Sequence, residues 1–80
     1  MADGRFDRIT VDPQRLGGKP CIRGLRISVG MIVQMVAAGK STAEIISEYP
    51  YLEAEDVRQA LAYAGAIAEN EYHLVLRSSA

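Results

Sequence analysis

Few side chains in this 80-residue sequence have the chemistry that catalysis requires. Cys21 is the only thiol and His73 the only imidazole, and a nucleophile with its base would have to be built from these two. Cys21 follows Pro20 in a segment that we expect to be extended and buried, where cysteine acts as a small apolar residue. His73 is expected to be an exposed residue near the C-terminus. We therefore predict that the protein is not an enzyme.

Two further groups of residues resemble binding sites but have simpler explanations. Glu53, Glu55 and Asp56 form an acidic cluster where a helix is predicted to begin, and the helix dipole stabilises carboxylates at that end. Residues 17–20 (Gly-Gly-Lys-Pro) contain glycines and a lysine, but they lack the spacing of a phosphate loop and precede an extended segment. No cluster of histidines and cysteines has zinc spacing. We expect neither a metal nor a cofactor.

The charges divide the sequence into a basic N-terminal third and an acidic remainder. Six basic and three acidic residues precede Ile27, whereas three basic and seven acidic residues follow it. A polyanion would be attracted to the N-terminal third, although a scatter of solvated surface charges explains the pattern equally well. The length suits one domain. One cysteine and the lack of an apolar run of about 20 residues predict a cytoplasmic protein without a membrane segment.

The N-terminal part is predicted to contain short extended segments. Residues 1–7 are expected to be a flexible lead, residues 8–68 the folded domain and residues 69–80 a tail. Residues 8–11 alternate polar and apolar side chains and predict a strand, which Pro13 ends. Residues 16–20 have the composition of a turn. Residues 21–28 are predicted to form either a tight hairpin or two separate extended pieces.

Three helices are predicted for the rest of the domain. Ser28 is a suitable N-cap for the first helix, which carries an apolar stripe and ends at Gly39. Ser41 and Glu44 have the spacing of a capping box for a second, short helix. The third helix is expected from Glu53 to about Ala68. Its predicted inward positions are Val57, Leu61, Ala64 and Ile67 or Ala68. The predicted fold is mainly α: a trihelical, homeodomain-like helix-turn-helix core preceded by a short β-hairpin or extended segment.

The second and third predicted helices have the arrangement of a helix-turn-helix unit. In DNA-binding versions, the second helix of the unit places its N-terminal residues in the major groove. Three carboxylates at the start of the third helix make this helix unsuited to contacting DNA bases, because the DNA phosphates repel them. The candidate DNA-binding residues are Arg23, Arg26, Lys40, Arg58 and Gln59. Two alternatives stay open: Arg23 and Arg26 form salt bridges with the acidic helices, and the unit contacts a protein instead of DNA.

Five segments together resemble the family called domain of unknown function 433. They are residues 9–13 (Ile-Thr-Val-Asp-Pro), 18–24 (Gly-Lys-Pro-Cys-Ile-Arg-Gly), 26–29 (Arg-Ile-Ser-Val), 39–41 (Gly-Lys-Ser) and 48–52 (Glu-Tyr-Pro-Tyr-Leu). The resemblance extends from Arg8 to Ala68. The sequence departs from the pattern at Leu25, where a small polar residue is usual, and at Glu53, where Thr or Ser would cap the last helix.

The resemblance implies a trihelical homeodomain-like or winged-helix-like domain and an antitoxin similar to the VapB type. Such an antitoxin binds and neutralises a PIN-like ribonuclease toxin, and as a homodimer or hetero-oligomer it represses its own operon by binding operator DNA. The apolar tail suits contact with the toxin, with Tyr72, Leu74, Val75, Leu76 and Arg77 as candidate residues, although a strand of this domain is an equal alternative for the tail. The alternative function is a DNA-binding regulator or adaptor without a toxin.

Overall fold

The structure is a computed structural model that describes the backbone of residues 6–14 and 16–79, and the side chains of those residues as far as Glu69. It contains a strand pair and three helices, as predicted. The elements in chain order are β1 (Ile9–Val11), β2 (Pro20–Ile22), α1 (Val29–Ala37), α2 (Thr42–Glu48) and α3 (Ala54–Ser79), with a 3-10 turn at Leu16–Gly18 between the strands.

The two strands form an antiparallel pair in which Thr10 lies opposite Cys21. After β2 the chain turns tightly: the Ile22 N–H donates to the Ile27 carbonyl at 3.0 Å, and the Leu25 N–H donates to the Ile22 carbonyl at 2.7 Å. Gly24 has a φ of 73°, a left-handed conformation that glycine adopts without steric cost. Residues 21–28 therefore form the tight hairpin, which was one of the two predicted alternatives.

The helix ends follow the predicted capping residues. The Ser28 hydroxyl accepts a hydrogen bond from the Met31 N–H at the start of α1. Ser41 and Glu44 form the reciprocal capping box of α2, with each backbone N–H donating to the other side chain at 3.1 and 2.8 Å. Gly39 has a φ of 97° and turns the chain between these helices. Each contact satisfies a backbone group that the helix leaves unpaired.

One hydrophobic core joins the hairpin to all three helices. Helix α1 packs against α3, α2 contacts both of them, β1 contacts α3 and β2 contacts α1. Cys21 is 1% exposed, as expected for a small apolar residue. The core is formed by Phe6, Ile9, Ile22, Ile27, Val29, Ile32, Ile45, Leu52, Val57 and Ala60.

The predicted inward face of α3 is partly wrong. Val57 is buried and Ala64 packs against the core, but Leu61 and Ile67 are 38% and 39% exposed, and Ala68 is exposed as well. Asp56, Gln59 and Ala60 are buried instead, because the N-terminal segment covers the side of the helix on which they lie. Apolar periodicity cannot identify a face whose buried side chains are polar.

Two predicted boundaries also change. The sequence predicts a flexible lead at residues 1–7, yet Phe6 is 6% exposed, and its ring packs edge-on against Tyr63 with centroids 5.2 Å apart. Aromatic burial therefore places Phe6 in the folded domain; residues 1–5 lie outside the described part of the chain. Helix α3 continues to Ser79, beyond the predicted end at Ala68, because no glycine or proline follows Gly65. The strand alternative for the tail is wrong.

Within the described residues, no helix has the length and apolar character needed to cross a bilayer.

Candidate functional site

Asp56 is the buried centre of an ion cluster that joins the hairpin to α3. Its carboxylate has no solvent exposure. Arg23 binds it in a bidentate manner, with Nε 3.0 Å from Oδ1 and Nη2 2.9 Å from Oδ2. Arg8 adds a bond from Nη1 to Oδ1 at 3.1 Å, and the Glu53 backbone N–H donates to Oδ2 at 2.8 Å. We call Arg8, Arg23, Glu53 and Asp56 the Asp56 cluster.

The Asp56 cluster keeps its charges. Burial alone would raise the pKa of the Asp56 carboxyl, but hydrogen bonds from Arg23, the Glu53 N–H and Arg8 outweigh burial and hold the pKa below its usual value. Hydrogen bonds to Glu53 and Asp56 raise the pKa of Arg8, and the bond to Asp56 raises that of Arg23. Because its oxygens are occupied by donors, Asp56 is neither a general base nor a metal ligand.

The other carboxylates of this region do not form a metal site either. Arg8 Nη1 also binds Glu53 Oε1 at 2.6 Å. Arg58 binds Glu55 through Nε and Nη2 at 2.8 and 2.6 Å, and together with Gln59 it lowers the pKa of Glu55 to about 2. Among the residues that the structure describes, no group of three or more His, Cys, Asp or Glu side chains is placed to hold a metal ion.

Four of the five candidate DNA-binding residues take part in interactions within the chain. Arg23 belongs to the Asp56 cluster, Arg58 pairs with Glu55, and Lys40 pairs with Glu48. Gln59 is 4% exposed; its Oε1 accepts from the Arg8 N–H at 3.0 Å, and its Nε2 donates to Asp7 and Glu55, both at 2.9 Å.

Arg26 is the exception among these candidates. It is exposed on the hairpin that follows β2, and it forms no hydrogen bond or ion pair with any side chain or backbone group in the described part of the chain. The structure thus separates the two arginines of the hairpin. Arg23 is held by Asp56, as the salt-bridge alternative predicts, whereas Arg26 is available to a phosphate or to a partner's carboxylate.

The candidate toxin-binding residues lie near the end of α3, and their side chains are outside the described residues. They are Tyr72, Leu74, Val75, Leu76 and Arg77. Their backbone is helical.

An apolar groove of about 640 Å³ lies between the start of β2, the first turns of α1 and the middle of α3. Its main apolar lining residues are Pro20, Val29, Met31, Val33, Ala64 and Ile67. Met31 and Ile67 are more than one third exposed, and Lys19 is the charged residue among the described lining. We refer to this feature as the α1–α3 groove.

Sequence reasoning missed the α1–α3 groove. The spacing from Val57 and Ala64 predicts a core position at Ile67 or Ala68, because it fits a helical stripe. The groove exists because α3 continues past the end of the core, and three separate elements form its walls. Met31 on α1 could have indicated the groove only together with the orientation of α1 against α3, which the sequence does not give.

Comparison with known proteins assigns the chain to a family. The sequence profile of the family described as "Protein of unknown function (DUF433)" matches residues 9–64. The chain belongs to the DUF433 family. A crystal structure of a DUF433 member protein from Anabaena variabilis is 30% identical, covering 86% of this chain and 68% of that chain with a TM-score of 0.73.

A curated relative matches this chain over part of a longer protein. The Sinorhizobium fredii protein named "Uncharacterized protein y4eO" is 41% identical over 58 residues, which are 72% of this chain and 26% of that protein. The chain therefore spans about a quarter of the length of this relative. The family profile ends at residue 64, which is also the last residue of α3 that packs against the core.

Proposed function

We propose that this DUF433 protein is an antitoxin that binds and neutralises a PIN-like ribonuclease toxin through the α1–α3 groove and the adjoining C-terminal part of α3. The observation that carries the proposal is the groove itself, an apolar concavity whose walls come from β2, α1 and α3 and in which Met31 and Ile67 are partly exposed. Concave pockets of this size with mainly apolar walls are the usual form of a binding site.

The geometry of the α1–α3 groove favours a peptide segment or helix as the bound group. Its walls are two helices and one strand end, and grooves between helices bind the apolar face of a partner helix in many complexes. Met31 and Ile67 are partly exposed and provide apolar anchors on opposite walls. Lys19 can pair with a carboxylate of the partner at the edge of the groove.

The start of α3 supports a protein partner over DNA at that position. A reading helix presents its first turn to the bases, but the first turn of α3 carries Glu55 and Asp56 immediately after Glu53. Arg8, just before β1, binds Glu53 and Asp56, and Arg23 of the hairpin binds Asp56. A major-groove contact here would bring carboxylates towards phosphates and would compete with Asp56 for its arginines.

The proposal is tested by pairing the protein with a candidate PIN-like ribonuclease from an open reading frame adjacent to its gene. Both proteins are produced together, and we expect a complex on size-exclusion chromatography and loss of RNA cleavage. Met31→Glu and Ile67→Glu place a charge in the α1–α3 groove, and each should weaken the complex by roughly tenfold or more. Val11→Glu is the matched control, because Val11 is 56% exposed on β1 and lies outside the groove.

The C-terminal part of α3 is tested separately by removing residues 72–80. We expect weaker binding of the ribonuclease with unchanged folding of the core, since the core ends at Ala64. A ribonuclease that is neither bound nor inhibited by the intact chain contradicts the antitoxin proposal. Equal binding by the two groove variants and by Val11→Glu contradicts the placement of the site.

The exposed Arg26 favours operator binding, and with it autorepression, as a second activity. A phosphate contact from the hairpin would resemble the positioning contacts that arms and loops make to the DNA backbone. This activity does not require the first turn of α3, and it is compatible with a protein bound in the α1–α3 groove.

A further inference from the structure

The side of α3 that faces away from the core carries a regular set of exposed residues. They follow the spacing i, i+3, i+4, i+7, i+8 and i+11, which places them on one face of a helix. We call this set the outer face of α3: Arg58, Leu61, Ala62, Gly65, Ala66 and Glu69, all of them exposed. Tyr63, Ala64 and Ile67, which line the α1–α3 groove, lie on other sides of the helix.

The outer face has opposite charges at its two ends. Arg58 and Glu69 are 11 positions apart, with Leu61 and three small residues between them. Two copies of α3 packed antiparallel about the midpoint of this stretch bring Arg58 of each copy level with Glu69 of the other, and Ala62 level with Gly65. A two-fold interface requires a surface that is complementary to itself, and this order of charges meets that requirement. A parallel pair would place Arg58 beside Arg58.

Arg58 has donors available for a second carboxylate. Its Nε and Nη2 bind Glu55, while Nη1 donates to no acceptor in the described residues, and its side chain is 63% exposed. A guanidinium has five N–H donors, so it can bind carboxylates on two sides.

Gly65 provides a second, independent observation. A glycine inside a helix is about 1 kcal/mol less favourable than alanine. Its φ is not positive, and a Cβ built at this position meets no atom of the described chain within 4 Å. Neither backbone conformation nor packing within one copy therefore explains glycine here. A second helix crossing close to Gly65 does explain it, because the missing side chain allows close approach.

We propose that two copies of this chain associate through the outer face of α3, antiparallel, with reciprocal Arg58–Glu69 ion pairs and a close crossing at Ala62 and Gly65. This inference does not depend on the proposed function, since it leaves the α1–α3 groove open. About three helical turns from each copy form a smaller contact than the roughly 1,200–2,000 Å² of stable interfaces, so the dimer should dissociate on dilution.

Exchanging the charges of Arg58 and Glu69 tests the proposal, with association measured by sedimentation equilibrium. The intact chain should show a mass that rises with concentration from 8.7 kDa, the mass of one copy, towards twice that value. Arg58→Glu and Glu69→Arg should each raise the dissociation constant by at least roughly tenfold, because each places like charges side by side. The double variant should restore association. Lys40→Glu, which changes a charge outside the outer face, should not alter it.

A substitution at Gly65 tests the close crossing. Gly65→Leu should abolish association, while circular dichroism shows that helix content is kept or increased. Gly65→Ala should weaken association less than Gly65→Leu. A single-copy mass at every concentration, a double charge variant that does not recover, or full association of Gly65→Leu would each overturn the proposal. Each result is independent of ribonuclease binding.

Discussion

Arg23 Nη2 lies 2.9 Å from Asp56 Oδ2, and this ion pair joins the hairpin after β2 to the first turn of α3, 33 residues further along the chain. With Arg8, it brings together basic residues of the N-terminal third and acidic residues of the helical part. The uneven charge distribution of the sequence therefore serves, in part, to hold this DUF433 domain together.

Asp56→Asn is expected to lower the free energy of unfolding by about 3 kcal/mol. Removing one partner of a buried ion pair typically costs about 3–5 kcal/mol, and the lower end applies because Arg8 and Arg23 keep partial access to solvent. Urea unfolding followed by circular dichroism measures the change. Glu48→Gln is the control: it also breaks an ion pair of a helix carboxylate, that with Lys40, but at an exposed site on α2, so it should have little effect. If both variants lowered the free energy of unfolding equally, the burial of Asp56 would have no structural role.

The stability of the protein should fall in acid because of Asp56. Its pKa is lower in the folded than in the unfolded chain, so its contribution is complete above the usual aspartate value of about 3.9 and is lost as the pH falls through the lowered pKa. Glu55, with a pKa of about 2, acts in the same direction. Unfolding measured from about pH 7 to pH 2 should therefore show a smaller acid-dependent loss for Asp56→Asn than for the intact chain. If the stability of both proteins depended on pH in the same way, Asp56 would not be the group responsible for the loss in acid.

Features with local causes could be predicted from the sequence. The N-caps at Ser28 and Ser41 depend on hydrogen bonds to residues three positions away, and the turn at Gly39 depends on backbone freedom at one residue. The strand at residues 9–11 and the three helices follow from such signals and from apolar spacing. The family resemblance from Arg8 to Ala68 is likewise confirmed by the profile match to residues 9–64.

Features with distant causes could not be predicted in this way. Gln59 is buried because its amide binds the backbone of Arg8 and the side chain of Asp7, which are 51 and 52 residues away. Its polarity suggested a surface residue available to DNA. The α1–α3 groove depends on how three elements meet, so no single segment of the sequence contains a signal for it.

Phe6→Ala should destabilise the domain by about 3 kcal/mol, since it removes a buried aromatic side chain and its edge-on contact with Tyr63. Thermal unfolding measures the loss. Val11→Ala removes a side chain that is 56% exposed and should change stability by no more than about 0.5 kcal/mol. If the two variants unfolded alike, Phe6 would not belong to the core.

Ser41→Ala should cost about 1 kcal/mol, because it removes the side-chain acceptor for the Glu44 N–H at the start of α2. Ser47→Ala, in the same helix but exposed and away from its N-terminus, serves as the control. Chemical denaturation of both variants separates the loss of the cap from any general effect of alanine on the helix. A larger loss for Ser47→Ala would contradict the capping role.

Arg26 and Arg23 should respond differently to substitution in operator-DNA binding. Arg26→Ala removes an exposed cation with no partner among the described residues, so the melting temperature should stay the same. The slope of the logarithm of the binding constant against the logarithm of the salt concentration should become less steep by about 0.9, the value for one phosphate contact. Arg23→Ala removes the bidentate partner of Asp56 and should lower the melting temperature first. Titrations of the operator at several salt concentrations, with melting curves of both variants, distinguish the two roles. An unchanged salt slope for Arg26→Ala means that this residue does not contact a phosphate, and the second activity then loses the observation that favours it.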